Sequence, residues 1–128
     1  MIVNKFSIEK IPSYGPYNTC VLVGGFLFVS GQIAVNENTK KLDTDNNIEI
    51  ETKKVMENIK IILSENGIGF QNVIKTSIFV TDIRFFPKIN DVYSKFFHKG
   101  NYPARETIQV SGLPKNANVE ISLIAYKN

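Results

Sequence analysis

Two glycines, Gly24-Gly25, separate two apolar runs, Cys20-Val21-Leu22-Val23 and Phe26-Leu27-Phe28-Val29. Residues of these types favour extended backbone, and a glycine pair between them supplies the unusual φ angles of a tight turn. The stretch from Thr19 to Ser30 is therefore expected to form an antiparallel hairpin. A polar, turn-rich loop comes next, from Asn36 to Asn47. From Ile48 the apolar residues fall at Ile48, Val55, Ile59, Ile62 and Leu63, a spacing that matches one face of a helix, and Gly67 after Asn66 is a suitable stop.

Val73 to Thr81 is rich in β-branched residues and predicts a third strand. Asp82 can cap a second helix, broadly from Phe85 to Phe97, with Pro87 in its first turn and Phe86, Ile89, Val92, Tyr93, Phe96 and Phe97 on its inner side. Gly100-Asn101-Tyr102-Pro103 breaks that helix. Two more strands, Arg105 to Val110 and Val119 to Tyr126, are joined through Gly112-Leu113-Pro114. The order is hairpin, helix, strand, helix, strand, strand. It predicts an α+β fold in which a mixed sheet carries two helices on one face, as one domain spanning 1–128. Two helices cover only one face of a sheet, yet Ile74 to Val80 and Val119 to Ala125 are apolar on both faces over part of their length. The uncovered face is expected to meet another subunit, making a homo-oligomer.

No apolar run approaches the roughly 18 residues of a membrane span, and Met1-Ile2-Val3-Asn4-Lys5 lacks the residue order of a signal peptide. The expected location is the cytoplasm. Cys20 is the only cysteine and His98 the only histidine, so zinc has no ligand cluster; with no tight Asp/Glu group either, no metal is expected. A net charge of +3 permits nucleic-acid contact without demanding it. The pairs Lys40-Lys41 and Lys53-Lys54 are diluted by Asp43, Asp45, Glu49, Glu51 and Glu57, as on an ordinary solvated surface.

Among 15 basic residues only Arg84 and Arg105 are arginine. Arg105 comes after a stiff Pro103-Ala104 step, and its planar fork grips a carboxylate or phosphate through paired hydrogen bonds that a lysine cannot reproduce. Glu120, within Val119-Glu120-Ile121, stands in the middle of the next strand, and the two residues are expected to meet across a sheet. An anion anchor beside a titratable carboxylate outlines a small-molecule site. The alternatives are a structural ion pair, Arg105 with Glu120 itself, and a structural hydrogen-bonded role for Glu120.

Gly15-Pro16-Tyr17, Ser30-Gly31-Gln32-Ile33, Asn72-Val73-Ile74-Lys75-Thr76 with Phe79-Val80-Thr81-Asp82, Asn90-Asp91-Val92-Tyr93 with Phe96-Phe97, Pro103-Ala104-Arg105, and Leu113-Pro114 before Val119-Glu120-Ile121 resemble, in this order, the reactive-intermediate deaminase (RidA, YjgF, endoribonuclease L-PSP) family. The resemblance implies a chorismate-mutase-like fold and a homotrimer with sites between subunits. It also implies hydrolysis of 2-imino or 2-enamino acids, such as 2-iminobutanoate and 2-iminopropanoate released by pyridoxal-phosphate enzymes, to 2-oxo acids and ammonia, with no cofactor. On matching positions it assigns Arg105 to the substrate carboxylate and Glu120 to the attacking water and departing amine. Tyr17 would close over the ligand, Ser30 and Gly31 would offer a close backbone approach, Phe86 and Asn90 would lie near the cleft, and Thr107 would contribute its backbone N–H. Packing explains Tyr17 and Phe86 as well, and a strand-end hydrogen bond explains Ser30.

The sequence departs from the family where Glu106 and Thr107 come after Arg105 in place of the usual serine and cysteine, and where Asn18-Thr19 come after Tyr17. Strand alternation sends Glu106 to the face opposite Arg105 and Thr107. Two other functions compete. RNA cleavage, attributed to some family members, usually calls on histidine, and His98 sits at a helix end with no basic groove evident. A non-catalytic trimer that binds a metabolite would use Arg105 without Glu120.

Overall fold

The Gly24-Gly25 turn forms where the sequence predicts it. In the computed structural model, which describes residues 2–128, the two glycines take φ angles of 56° and 84° and Val23 lies opposite Phe26 in an antiparallel pair. Among the described residues six strands build one sheet: β1 Val3–Phe6, β2 Cys20–Val23, β3 Phe26–Gln32, β4 Val73–Val80, β5 Ala104–Gln109 and β6 Val119–Tyr126. Their spatial order is β1-β2-β3-β6-β4-β5, with β4 and β5 parallel and the other neighbours antiparallel. A parallel pair needs a long crossover, and helix α2, Phe86–Ser94, provides it; helix α1, Ile48–Glu65, links β3 to β4.

Local chemistry sets the ends of α1. The Asn47 side chain accepts hydrogen bonds from Glu49 N (2.9 Å) and Ile50 N (3.1 Å), and Gly67 turns the chain out at φ 72°. The predicted stripe of α1 is buried. Val55, Ile59, Ile62 and Leu63 pack with Leu27, Val29, Ile78, Val80, Val119 and Ile121 of the sheet in one core. Burying each such side chain stabilises the fold by about 1.5–3 kcal/mol. The opposite sheet face is uncovered and apolar, as expected: Phe26, Phe28, Ile108 and Tyr126 are exposed there, and Phe79 and Ile124 are half-buried beside them. Among the described residues no helix is long and apolar enough to cross a membrane.

Three departures have local causes. The sequence pattern does not reveal β1, whose Val3-Asn4-Lys5-Phe6 is too short and too exposed to show an apolar period, and which forms by pairing with β2. The second helix is shorter than predicted. Asp82 caps a single 3₁₀ turn at Ile83–Phe85, α2 begins at Phe86, and it ends at Ser94 because Phe96 and Phe97 turn to pack on Phe70, with ring centroids 5.4 and 5.3 Å away. Glu51 is no surface charge. It is fully buried, and its carboxylate accepts from Asn118 N (2.7 Å), Asn118 Nδ2 (2.9 Å) and Val119 N (3.3 Å), tying α1 to the start of β6.

Candidate functional site

Arg105 stands on the edge strand β5 in register with Thr76, whose side chain is buried under α2. Its guanidinium carbon lies 5.0 Å from the ring centroid of Tyr93 and 5.2 Å from that of Phe86, and among the described residues no carboxylate forms an ion pair with it. Tyr93 is itself fixed, its hydroxyl 2.8 Å from Thr76 Oγ1. Burial pushes the Tyr93 phenol above its ordinary range, opposed by the Thr76 hydrogen bond and the Arg105 charge. Asn90, Ser94, Tyr102 and Pro103 complete a groove of about 290 Å³ beside Arg105. Thr107 lies on the same side of β5, its hydroxyl buried and without a partner among the described residues.

Glu120 occupies the other side of the sheet. It pairs with Phe79, whereas its neighbour Ile121 pairs with Ile78 in the core. A cavity of about 160 Å³ brings Glu120 together with Tyr17, Gly31, Gln32 and Ile11. The β3–β6 ladder shifts register between Val29 and Gln32, and the missing side chain of Gly31 is what lets the carboxylate lie against β3: a Cβ there would sit 2.5 Å from Glu120 Oε2. Burial pushes the Glu120 carboxyl above the usual carboxylate range. Tyr17 is half-exposed at the end of a tight loop in which its own N–H donates to Gly15 O at 2.9 Å. Ser30 takes the strand-end role: its hydroxyl donates to Asn18 O at 2.7 Å.

Arg105 and Glu120 therefore do not meet across the sheet of one chain, contrary to the expectation from spacing. Their registers on β4, Thr76 and Phe79, are an odd number of residues apart, and alternation sends the two side chains to opposite faces. Glu106 also faces away from Arg105, as alternation predicts. It accepts from the Ser77 hydroxyl and pairs with Lys75 at 3.1 Å, contacts that hold its carboxyl below the usual range and keep it from competing for the guanidinium. Phe86 is partly exposed and lies against the Arg105 guanidinium, outside the buried core. His98 lies in a separate groove with Lys60, Gln71 and Lys95.

Two residues have roles that the sequence pattern alone does not assign. Tyr93 reads as packing on an inner helix face, although a tyrosine among phenylalanines has a hydroxyl that needs a partner, and that need is the signal. Glu51 stands three residues after Ile48 and four before Val55, on the buried stripe, and that position is the signal that it points inward.

A six-stranded mixed sheet backed by two helices defines a small α+β protein, with an arginine that forms no ion pair among the described residues on one face and a half-buried carboxylate on the other. Residues 7–127 match the family described as endoribonuclease L-PSP. A RutC family protein of Pyrococcus abyssi is 42% identical over 120 residues, 93% of each chain. Among solved structures, E. coli TdcF with bound serine superposes with a TM-score of 0.89 at 34% identity, covering 98% of this chain and 99% of its own. RidA from the Antarctic bacterium Psychrobacter gives 0.89 at 32% identity, over 96% and 98%. The chain belongs to the RidA/YjgF/endoribonuclease L-PSP family.

Proposed function

We propose that this protein hydrolyses small 2-imino and 2-enamino acids, 2-iminobutanoate and 2-iminopropanoate among them, to 2-oxo acids and ammonia, in clefts between the subunits of a homotrimer. The observation that carries this reading is the division of the site. Each chain offers an anion anchor without a base, Arg105, and a base without an anchor, Glu120, on opposite sheet faces. A second copy that lays its uncovered apolar face beside the β5 edge unites the two halves, and a head-to-tail contact of this kind closes as a ring of three when its rotation is threefold. The serine bound to TdcF supports a ligand of amino-acid size.

In this site Arg105 grips the substrate carboxylate and so fixes the adjacent imine carbon. Glu120 of the neighbouring copy takes a proton from water as the water oxygen bonds to that carbon and the C=N π electrons move to nitrogen. The carboxyl then returns the proton to the nitrogen, giving a carbinolamine; as the C–N bond breaks, the hydroxyl proton passes through the carboxylate to that nitrogen, and ammonia leaves as the 2-oxo acid forms. A carboxyl raised by burial suits both proton steps, because its affinity is nearer the working pH. Tyr17 covers the ligand from the Glu120 side. RNA cleavage is less well supported, since His98 stands apart from both halves.

Subunit mixing tests the proposal. Arg105→Ala and Glu120→Gln are each expected to be inactive in an assay where a Ser/Thr dehydratase generates the enamine. Co-refolded in equal amounts, they should regain about one quarter of the parent activity, the chance that an intact Arg105 faces an intact Glu120 at a random contact. A mixture as inactive as its components would exclude a shared site.

A further inference from the structure

Phe86 and Tyr93 are seven residues apart on α2, two turns along one side, and the rise between them is about 10.5 Å. Both ring centroids nevertheless lie within 5.2 Å of the same guanidinium carbon, so the head of Arg105 is seated between them. The lower ring does not move freely: Thr76 holds the Tyr93 hydroxyl at 2.8 Å, and Phe97, itself edge-on to Phe70, meets the Tyr93 ring at 4.9 Å. The positive charge has no ion-pair partner among the described residues, so its neighbours are the two aromatic rings and its N–H groups are uncommitted to any carboxylate.

We infer that Phe86 and Tyr93 are positioning residues that clamp the Arg105 guanidinium in the orientation a carboxylate needs. An arginine on a surface edge has several free torsions, and a ligand that must order them binds more weakly than one that meets a prearranged fork. The clamp supplies that order before the ligand arrives. Phe86 thus acts through Arg105, with no need to touch the substrate, and this accounts for a large aromatic residue left 38% exposed at the start of a helix. The inference rests on Arg105 being the carboxylate anchor proposed above.

Calorimetric titration of the full chain with 2-oxobutanoate and with its neutral analogue 2-oxobutanamide tests it. The parent protein is expected to prefer the acid. Phe86→Leu should weaken the acid by about 5- to 10-fold while leaving the amide within about twofold, and Phe86→Tyr, which keeps the ring, should restore the preference. Phe86 is exposed enough for Leu to be tolerated, whereas replacement of the buried Tyr93 by Leu threatens the fold; Tyr93→Phe, retaining the ring, should keep the preference. Equal weakening of both ligands would make Phe86 a packing residue, and an unaltered preference in Phe86→Leu, or none in the parent, would overturn the clamp. A parent that keeps its preference yet hydrolyses no imine would leave the clamp standing and remove the deaminase function.

Discussion

Replacing Gly31 with alanine puts a methyl group where the Glu120 carboxylate now lies. The added carbon would meet Oε2 at 2.5 Å, the carboxyl carbon at 2.7 Å and Cγ at 3.1 Å. Ordinary contact begins near 3.4 Å, so the carboxylate must retreat by about 0.9 Å. Gly31 is not among the glycines with positive φ, and alanine meets no backbone penalty there. What moves is the end of a flexible side chain, so unfolding stability should change by less than about 1 kcal/mol. Catalysis is less forgiving: a reacting group displaced by about 1 Å can lose about 100-fold in rate, so kcat/KM for 2-iminobutanoate is expected to fall by about 10- to 100-fold. The dehydratase-coupled assay measures this loss, and a thermal melt checks that the fold survives. If Gly31→Ala works by displacing the base, the loss must disappear once the base is gone, leaving the double variant Gly31→Ala/Glu120→Gln no slower than Glu120→Gln. Losses that multiply in the double variant, or full activity in Gly31→Ala alone, would refute the reasoning.

Arg105→Lys keeps the charge but loses the paired hydrogen bonds and the planar fit between the rings, and is expected to lower kcat/KM at least about tenfold, or about 1.4 kcal/mol of transition-state stabilisation; steady-state kinetics check it. Burial raises the folded pKa of Glu120 above its unfolded value, so the folded chain holds the proton longer and stability falls as pH rises through that window. Glu120→Gln should therefore melt higher than the parent at neutral pH and lose this advantage once both states are protonated in acid; an advantage independent of pH would show that the carboxylate carries no burial penalty. Glu51→Ala strands the backbone donors of Asn118 and Val119 in the interior and should cost about 3 kcal/mol in a denaturant titration.

The hairpin was legible because turn chemistry and strand propensity agree at Gly24-Gly25, and α1 because its apolar spacing, its Asn47 cap and its Gly67 stop coincide. The end of α2 was not legible. Phe96 and Phe97 continue the helical period, and only their contact with Phe70, more than twenty residues earlier in the chain, takes them out of the helix. Arg105 stood out by chemistry alone, as one of two arginines in a lysine-rich chain, but nothing around it in sequence identified Phe86 and Tyr93 as its seat.

The separation of Arg105 from Glu120 was hidden for a further reason. Alternation along a strand states which residues share a face, but which face that is depends on register with the neighbouring strand, and a slip of one residue reverses it. With β5 shifted by one position on β4, Arg105 would join Glu120 on the uncovered face, and Glu106 would turn toward the rings of Phe86 and Tyr93. That arrangement carries its own penalty. Glu106 would give up the Ser77 hydroxyl and Lys75 for an aromatic seat that offers a carboxylate no cation, while Arg105 would leave the rings that suit it. Glu106 thus helps select the register that keeps Arg105 on the α2 side. The same register keeps Arg105 and Glu120 of one chain on opposite faces, so under the proposed function a lysine–glutamate pair on one sheet face bears on whether catalysis requires a second copy.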